Sequence, residues 1–458
     1  MKFSKAHIHS RVYRLPELRF EDQRLTSFSG TVVLQALFKH LDIHGRLKGC
    51  FAHRQKGSVI GFPTVALLMI LHLMLGYRRL RDIDRYRDDP LVKRALGLRR
   101  LPHVCTVRRV LCGADRRSVN NLQQFNTDLV LDRLSYQSLH RITLDFDGSV
   151  ISSGRYAEAT AIGYNDKKKG ARSYYPLFCT VAQTGQVLDA YHQAGNVHDS
   201  NGSIGFIGSC IAQARAHLPG VVLESRHDSA FFSDETVSFL DSQKLEFSIS
   251  VPFERFSELK QIVESRGTWR HLDSEWSYFE LPWSPNCWSK RYRFLFLRHK
   301  VKRQRKEPVQ LELFIPHEEG YEFKVIVTNK QGKAKGILMF HNGRASQENV
   351  FSELKGQCQM DYIPVRRLAG NQWYFFSAVI AHNLFRELQM KTVAKHRATT
   401  AKRSPLWTFL EAATIRQRLI HRAGRLTRPQ GTLRLTSSGN QTTRREFQTY
   451  LQALGASA

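Results

Sequence analysis

At residue 141 the chain changes hydrophobic period. Before it, apolar residues come in helix-length blocks such as VVLQALFKHL and VALLMILHLML. From it, RITLDFDGSVIS alternates, with Ile142, Leu144 and Phe146 on one face and Thr143, Asp145 and Asp147 on the other. Strict period two suits a strand with two unlike faces, so a sheet begins here and residues 1–140 are left as a helical region. YPLFCTVAQ and QVLDAYHQ flank Thr184-Gly185 and read as a hairpin. SNGSIGFIGSCIAQARAHLPG reads as a helix with Gly220 past its end, and VVLESRHD as a strand ending in Asp228. SDETVSFLDSQK is a short helix with Ser233 as its cap, and LEFSISVPF is another strand.

The resulting order, β-β-β-α-β-α-β with one helix still owed, is that of an α/β, ribonuclease-H-like fold. Such a core has a mixed five-stranded sheet flanked by helices. The owed helix is delayed. Residues 253–330 are rich in aromatic and basic residues, with alternating runs such as WSYFELPW, YRFLFLRHK, VQLELFIP and YEFKVIVTN, and read as a β-rich insertion. FHNGRASQENVFSELKGQ then supplies the helix, and NQWYFFSAVIAHNLFREL a second, buried one. The expected division is a helical region at 1–140, an α/β core at 141–252 plus 331–390, the insertion at 253–330, and a basic C-terminal region at 391–458. Residues 391–445 hold thirteen Lys or Arg and one acid, Glu411. WTFLEAATIRQRLIHRAGRL gives that stretch helical character, and the last dozen residues are expected to be loose. DDPLVKRALGLRRLPHVCTVRRVL predicts two short helices around a Leu-Pro break, the second starting near Thr106 with Arg108 and Arg109 in its first turn. That pattern fits a helix–turn–helix that touches DNA or plain helical packing.

Composition narrows the partner. The 69 Lys and Arg against 40 Asp and Glu give a formal charge of +29, which calls for a polyanion. The longest apolar run is too short to span a bilayer and contains His72, so nucleic acid is preferred over a membrane. The first residues lack the apolar block of a secretory signal. The seven cysteines are scattered without a C-x-x-C pair, which argues for a reducing compartment and against structural zinc. The chain is expected in the cytoplasm, with the nucleic acid it binds.

Asp147 ends the first strand of the sheet and Asp228 the fourth. In this order those strands are neighbours, so their carboxylates converge, and a third from a following helix can join them. Converging carboxylates repel unless cations sit between them, and Mg²⁺ takes all-oxygen ligands while leaving positions open for water and phosphate. Asp145 shares the face of Asp147 and is a candidate secondary ligand. On the helix, Arg344 and Lys355 fall within roughly 40° of Glu348 at 100° per residue, whereas Val350, Phe351 and Leu354 take the opposite, buried side. Glu353 points away from the Arg–Glu–Lys stripe. The stripe suits a metal ligand flanked by phosphate-binding groups, or an ordinary surface ion pair.

Arg344-x-x-x-Glu348-x-x-Phe351-x-x-Leu354-Lys355 resembles the tyrosine–arginine–glutamate–lysine signature of the DDE transposases of bacterial insertion sequences. LDFDGS and RHDSAFFS resemble the two aspartate motifs of that family. GYNDKKKGARSYYPL (163–177) and GNVHDS (195–200) are similar to blocks of its insertion-sequence thirteen-eighty group. The resemblance spans about 30–390 and implies a triad of Asp147, Asp228 and Glu348 holding two Mg²⁺ ions, with Mn²⁺ able to substitute. It implies that Arg344 and Lys355 contact DNA near the scissile bond. Lys167, Lys168, Lys169 and Arg172 would line the DNA path, or form a solvated face. The implied reaction cuts phosphodiester bonds at the ends of the element in double-stranded DNA and joins the 3′ ends to target DNA, within a homodimer. A decayed, non-catalytic DNA-binding protein and a metal-dependent endonuclease that does not join strands are the alternatives. In some relatives an aromatic of the insertion stacks on a flipped base, for which Trp269, Trp276, Trp283 and Trp288 are candidates. One departure is visible: His341 stands where the signature has its tyrosine.

Overall fold

A computed structural model describes residues 12, 15–54, 60–153, 156–163, 165, 168–197, 202–300, 321–396 and 405–456. Its centre is a nine-stranded mixed sheet. The strands are β1 (Arg141–Gly148), β2 (Leu177–Val181), β3 (Gln186–Tyr191), β4 (Val222–His227), β5 (Glu246–Val251), β6 (Arg270–His271), β7 (Trp276–Trp283), β8 (Tyr292–Lys300) and β9 (Tyr321–Thr328). Their order across the sheet is β6-β7-β8-β9-β5-β4-β1-β2-β3. β1, β4 and β5 run parallel, and every other pairing is antiparallel.

The alternation of RITLDFDG is fulfilled differently from a half-solvated strand. Both faces of β1 are covered, and Thr143 and Asp145 are as buried as Leu144 and Phe146. Helices on both faces leave no solvated side. The Thr184-Gly185 turn joins β2 to β3, with Gly185 at a φ of 60°. The region read as an insertion is rich in strands and joins the central sheet: β9 pairs with β5 in register from Val325↔Val251 to Thr328↔Ser248 and carries β8, β7 and β6 onto it. VQLELFIP lies outside the described residues.

The helices are α1 (Thr31–His40), α2 (Ile43–Cys50), α3 (Phe62–Met74), α4 (Pro90–Ala95), α5 (Val104–Cys112), α6 (Arg116–Ser135), α7 (Ser203–His217), α8 (Asp234–Ser242), α9 (Ser257–Glu264), α10 (Ala334–Asn342), α11 (Ser346–Gly356), α12 (Leu368–Thr392) and, near the end, α13 (Gln441–Ala453). One face of the sheet packs with α7, α8 and α9, through residues such as Phe206, Ile211, Leu240 and Leu259. On the other lie α11 and α12, where Phe178 of β2 meets Phe351 and Phe375 at 5.0 and 5.6 Å. Every residue of α12 from Trp373 to Met390 is buried, the polar His382, Asn383, Arg386, Glu387 and Gln389 included. A helix of that kind must be surrounded, and α3, α5 and α6 surround it in one continuous core. The N-terminal helices and the central sheet therefore share a core across the expected boundary near residue 140.

The second helix of the expected pair starts at Val104, so Arg108 and Arg109 fall in its second half rather than its first turn. Both are exposed while Val107 and Leu111 are buried. The C-terminal region is more ordered than expected. Only 412–420 is helical within WTFLEAATIRQRLIHRAGRL, and strands Gly424–Thr427 and Arg434–Ser437 join Leu25–Thr26 in a small sheet. Of the last dozen residues, expected to be loose, 447–453 belong to α13, whose first turn is capped by the Asn440 side chain accepting from Thr443 N at 3.1 Å, and 457–458 lie outside the described residues. No described helix is long and apolar enough to cross a membrane.

Candidate active site

β1 and β4 pair in parallel up to Phe146↔His227, so the next step in register sets Asp147 beside Asp228. Both strands end there. Asp147 is followed by Gly148 and Ser149, and Asp228 caps a short turn by accepting from Ala230 N at 3.0 Å. One residue earlier on each strand, the Phe146 and His227 rings stack at 5.0 Å. Burial pushes the Asp147 carboxyl up to about 7, the Asp228 charge pushes the same way, and Arg344 pulls against both.

Arg344 lies in a 3₁₀ turn, Gly343–Ala345, between α10 and α11, and donates from Nη1 to Asp147 Oδ2 at 2.8 Å. Gln347, in the first turn of α11, is buried and donates from Nε2 to the carbonyl of Asp145 at 3.0 Å. These two bonds pin the start of α11 to the end of β1. Glu348 is the next residue, exposed beside the pinned turn. Lys355 lies half-buried two turns further on. The intervening 3₁₀ turn means that Arg344 and Glu348 do not share a single α-helical phase. Arg344 reaches the site by its own contact with Asp147. Glu353 is buried, accepting from the Arg386 guanidinium and from Ala412 N at 3.1 Å. It ties α11 to α12 and the C-terminal segment.

Asp145 is no open ligand. Across the register it faces Arg226, whose Nε and Nη2 donate to its two carboxylate oxygens at 2.5 and 2.7 Å, both side chains being within 1% of full burial. Burial raises the Asp145 carboxyl, and Arg226 acts against that rise. Arg226 also donates to the Phe340 carbonyl at 2.8 Å. It thereby locks α10 onto the sheet. His341 is likewise interior: its two ring nitrogens meet Ser248 Oγ at 3.0 Å and Ser250 Oγ at 2.8 Å on β5. Burial, then Lys324 and Arg344, hold it well below its ordinary pKa, so it is a neutral imidazole.

Of the basic loop, Lys168 and Lys169 are exposed, and Lys167 lies outside the described residues. Arg172 is committed inward, donating to the side chain and carbonyl of Thr160 and lying 5.1 Å over the Tyr156 ring. The blocks 163–177 and 195–200 touch. A Cβ on Gly163 would come within 2.2 Å of the Gly195 carbonyl oxygen, so glycine permits this approach. Residues 164, 166 and 198–200 of these blocks lie outside the described residues. The four tryptophans pack at home: Trp269 on Phe279 at 4.7 Å, Trp276 on His299 at 4.7 Å, Trp283 on Phe294 at 4.9 Å and Trp288 on Phe232 at 4.8 Å.

Sequence reasoning missed Arg226 and Gln347. A signal for Arg226 existed, since it stands two residues before Asp228 as Asp145 stands two before Asp147. Paired parallel strands had to bring them together.

Among the described residues no group of three His, Cys, Asp or Glu side chains is assembled to hold a metal ion. The Asp147–Asp228 pair fits one on chemical grounds. It is an oxygen-only donor set, and its charges repel.

The chain matches the family model "Transposase DDE domain group 1" over residues 11–458. No curated protein matches it. Among solved structures, it is similar to the piggyBac transposase synaptic complex with hairpin DNA, at 11% identity over 86% of this chain and 79% of that one, with a TM-score of 0.44. It is also similar to the Mos1 mariner paired-end complex with Mn, at 12% identity over 37% of this chain and 56% of that one, with a TM-score of 0.18. Both likenesses are too weak to carry an argument about this chain. The family match spans nearly all of it, and on that ground the chain belongs to the DDE-domain transposases of group 1.

Proposed function

We propose that this transposase binds the ends of its own insertion sequence, cuts phosphodiester bonds there and joins the freed 3′ ends to target DNA. The observation that supports this most is the pairing of Asp147 with Asp228 at adjoining ends of parallel strands. The five strands β3-β2-β1-β4-β5 have the order of a ribonuclease-H-like core, with β6–β9 as the insertion that extends it. The motifs around Arg344, Glu348 and Lys355 favour the insertion-sequence thirteen-eighty group.

Asp147 and Asp228 would hold divalent cations, Mg²⁺ or Mn²⁺, with Glu348 as the third ligand. Bound there, two such ions would activate the attacking oxygen and stabilise the leaving one. Arg344 orients Asp147 and offers its remaining N–H groups to a phosphate. Gln347 fixes the turn that carries Glu348. Lys168 and Lys169 lie at the surface for DNA backbone contacts, half-buried Lys355 would contribute beside them, and the basic C-terminal region would bind DNA or join two protomers.

The test is incubation of the protein with Mg²⁺ and DNA carrying the sequences that flank its gene. The expected products are nicks exposing 3′ hydroxyls at the element ends, followed by joined products, all absent with Asp228→Asn. Cutting without joining would identify an endonuclease. Metal-independent binding with no cutting would identify a DNA-binding regulator.

A further inference from the structure

Three cations crowd the carboxyl end of the central strands, and they are not equally committed. Arg226 is held by Asp145, and Arg344 by Asp147. Lys324, on β9, is half-buried, and its hydrogen bond runs to a neutral amide, from Nζ to Asn342 Oδ1 at 2.8 Å. Among the described residues no carboxylate pairs with it. Burial and the like charge of Arg344 together lower it to about 8. A lysine withdrawn from water beside a guanidinium is costly unless an anion shares the site. Its place along the strand points the same way. Ile326 is level with Ser250, one step past the level where β1 and β4 stop pairing, so Lys324 stands two residues above the aspartates, on their side of the sheet's end.

We propose that Lys324 binds a backbone phosphate of DNA beside the cleaved bond, sharing with Arg344 a two-cation seat for that group. The proposal rests on the DNA-cutting reading above and adds to it a substrate-contacting residue from the insertion. Asn342 positions the ammonium, and Arg344 supplies the second donor from the neighbouring turn. The anion relieves a repulsion that the protein carries without it, so binding gains more than an exposed lysine would give.

The test is binding of the full chain to a duplex with the element's terminal sequence, in which single phosphates around the cleaved bond are replaced in turn by neutral methylphosphonate. The wild type is expected to lose about tenfold in affinity at one position, the size of one charge-assisted contact. Lys324→Ala is expected to bind unmodified DNA about tenfold more weakly and to lose nothing further at that position. Lys324→Met, which keeps the buried stem, should behave likewise, and Lys324→Arg should keep the response. Unfolding midpoints near that of the wild type separate this from a folding defect. The proposal is overturned if the alanine and methionine variants bind unmodified DNA as the wild type does, or lose affinity at every position as it does. A wild type that binds no DNA would instead overturn the DNA-cutting reading.

Discussion

The central strands carry a pair of carboxylates at each end, and the two pairs are treated in opposite ways. At the amino ends, Glu224 of β4 sits beside Glu246 of β5. Lys330 donates to both, and Arg141 to both, at 3.3 and 2.8 Å, while Thr143 adds a hydrogen bond to Glu224 at 2.9 Å. Burial alone would raise Glu246, but its bonds from Lys330 and Arg141 outweigh that and lower it. At the carboxyl ends, Asp147 and Asp228 face each other with Arg344 as the cation shown between them, and Asp147 rises to about 7. The first pair is finished by the protein and holds strands and insertion together. In the second, burial and the Asp228 charge outweigh the pull of Arg344 and keep the Asp147 carboxyl raised.

The largest difference should appear in catalysis. Asp147→Asn, Asp228→Asn and Glu348→Gln are each expected to lower cleavage of end-containing DNA by roughly 10³-fold or more, while DNA binding and unfolding temperature persist. Single-turnover cleavage and gel-shift binding, measured on the same preparations, check this.

At the other end the effect should be on stability. Lys330→Met removes one of the cations that bond Glu224, which is fully buried, and is expected to cost about 1–3 kcal/mol in denaturant unfolding. Unchanged stability would show that the amino-end cluster is not the structural clamp described. Glu353→Gln belongs with it: Glu353 is held by Arg386, so the substitution should destabilise the fold without acting on the chemistry directly.

Asp189 of β3 separates burial from repulsion. It is buried with amide partners, Gln123 Nε2 at 2.8 Å and Ala190 N at 2.7 Å, and burial raises it to about 6. Its folded pKa lies above the unfolded value, so its protonated form stabilises the fold below about pH 4 and that stability is lost as pH rises through about 6. Asp189→Asn should therefore gain on the order of 2–3 kcal/mol at pH 8 and little at pH 4. Equal gains at both values would remove the titration from the explanation. The smallest effect is expected for Asp228→Asn without divalent cations, a stabilisation of roughly 1 kcal/mol at pH 8 from relieved repulsion.

Much of this contrast was legible in the sequence, through strand ends. Period two located β1, and the β-α-β order made β1 and β4 neighbours, so Asp147 and Asp228 could be paired before any contact was known. Glu348 was separable from Glu353 because apolar residues fix the buried side of α11. What was not legible depended on register and on breaks in regular structure. Asp145 and Asp147 share a face, and only the opposing Arg226 shows that one is sealed and the other open. The 3₁₀ turn at 343–345 moved Arg344 off the ideal helical phase. The insertion alternated as strands should, but alternation does not say which edge a strand joins, so its continuity with β5 was hidden. Asn440, a helix cap before α13, was a local signal that the basic composition of the tail obscured.

The most direct test is Mn²⁺ binding to the DNA-free protein, followed by titration calorimetry, for the wild type, Asp228→Asn and Glu246→Gln. The carboxyl-end pair should bind the ion, more tightly as pH rises through about 7 and Asp147 loses its proton. Asp228→Asn should lose at least about tenfold in affinity, and Glu246→Gln should bind like the wild type. Binding that survives Asp228→Asn unchanged, or that falls only with Glu246→Gln, would contradict the assignment of Asp147 and Asp228 as the metal-holding pair.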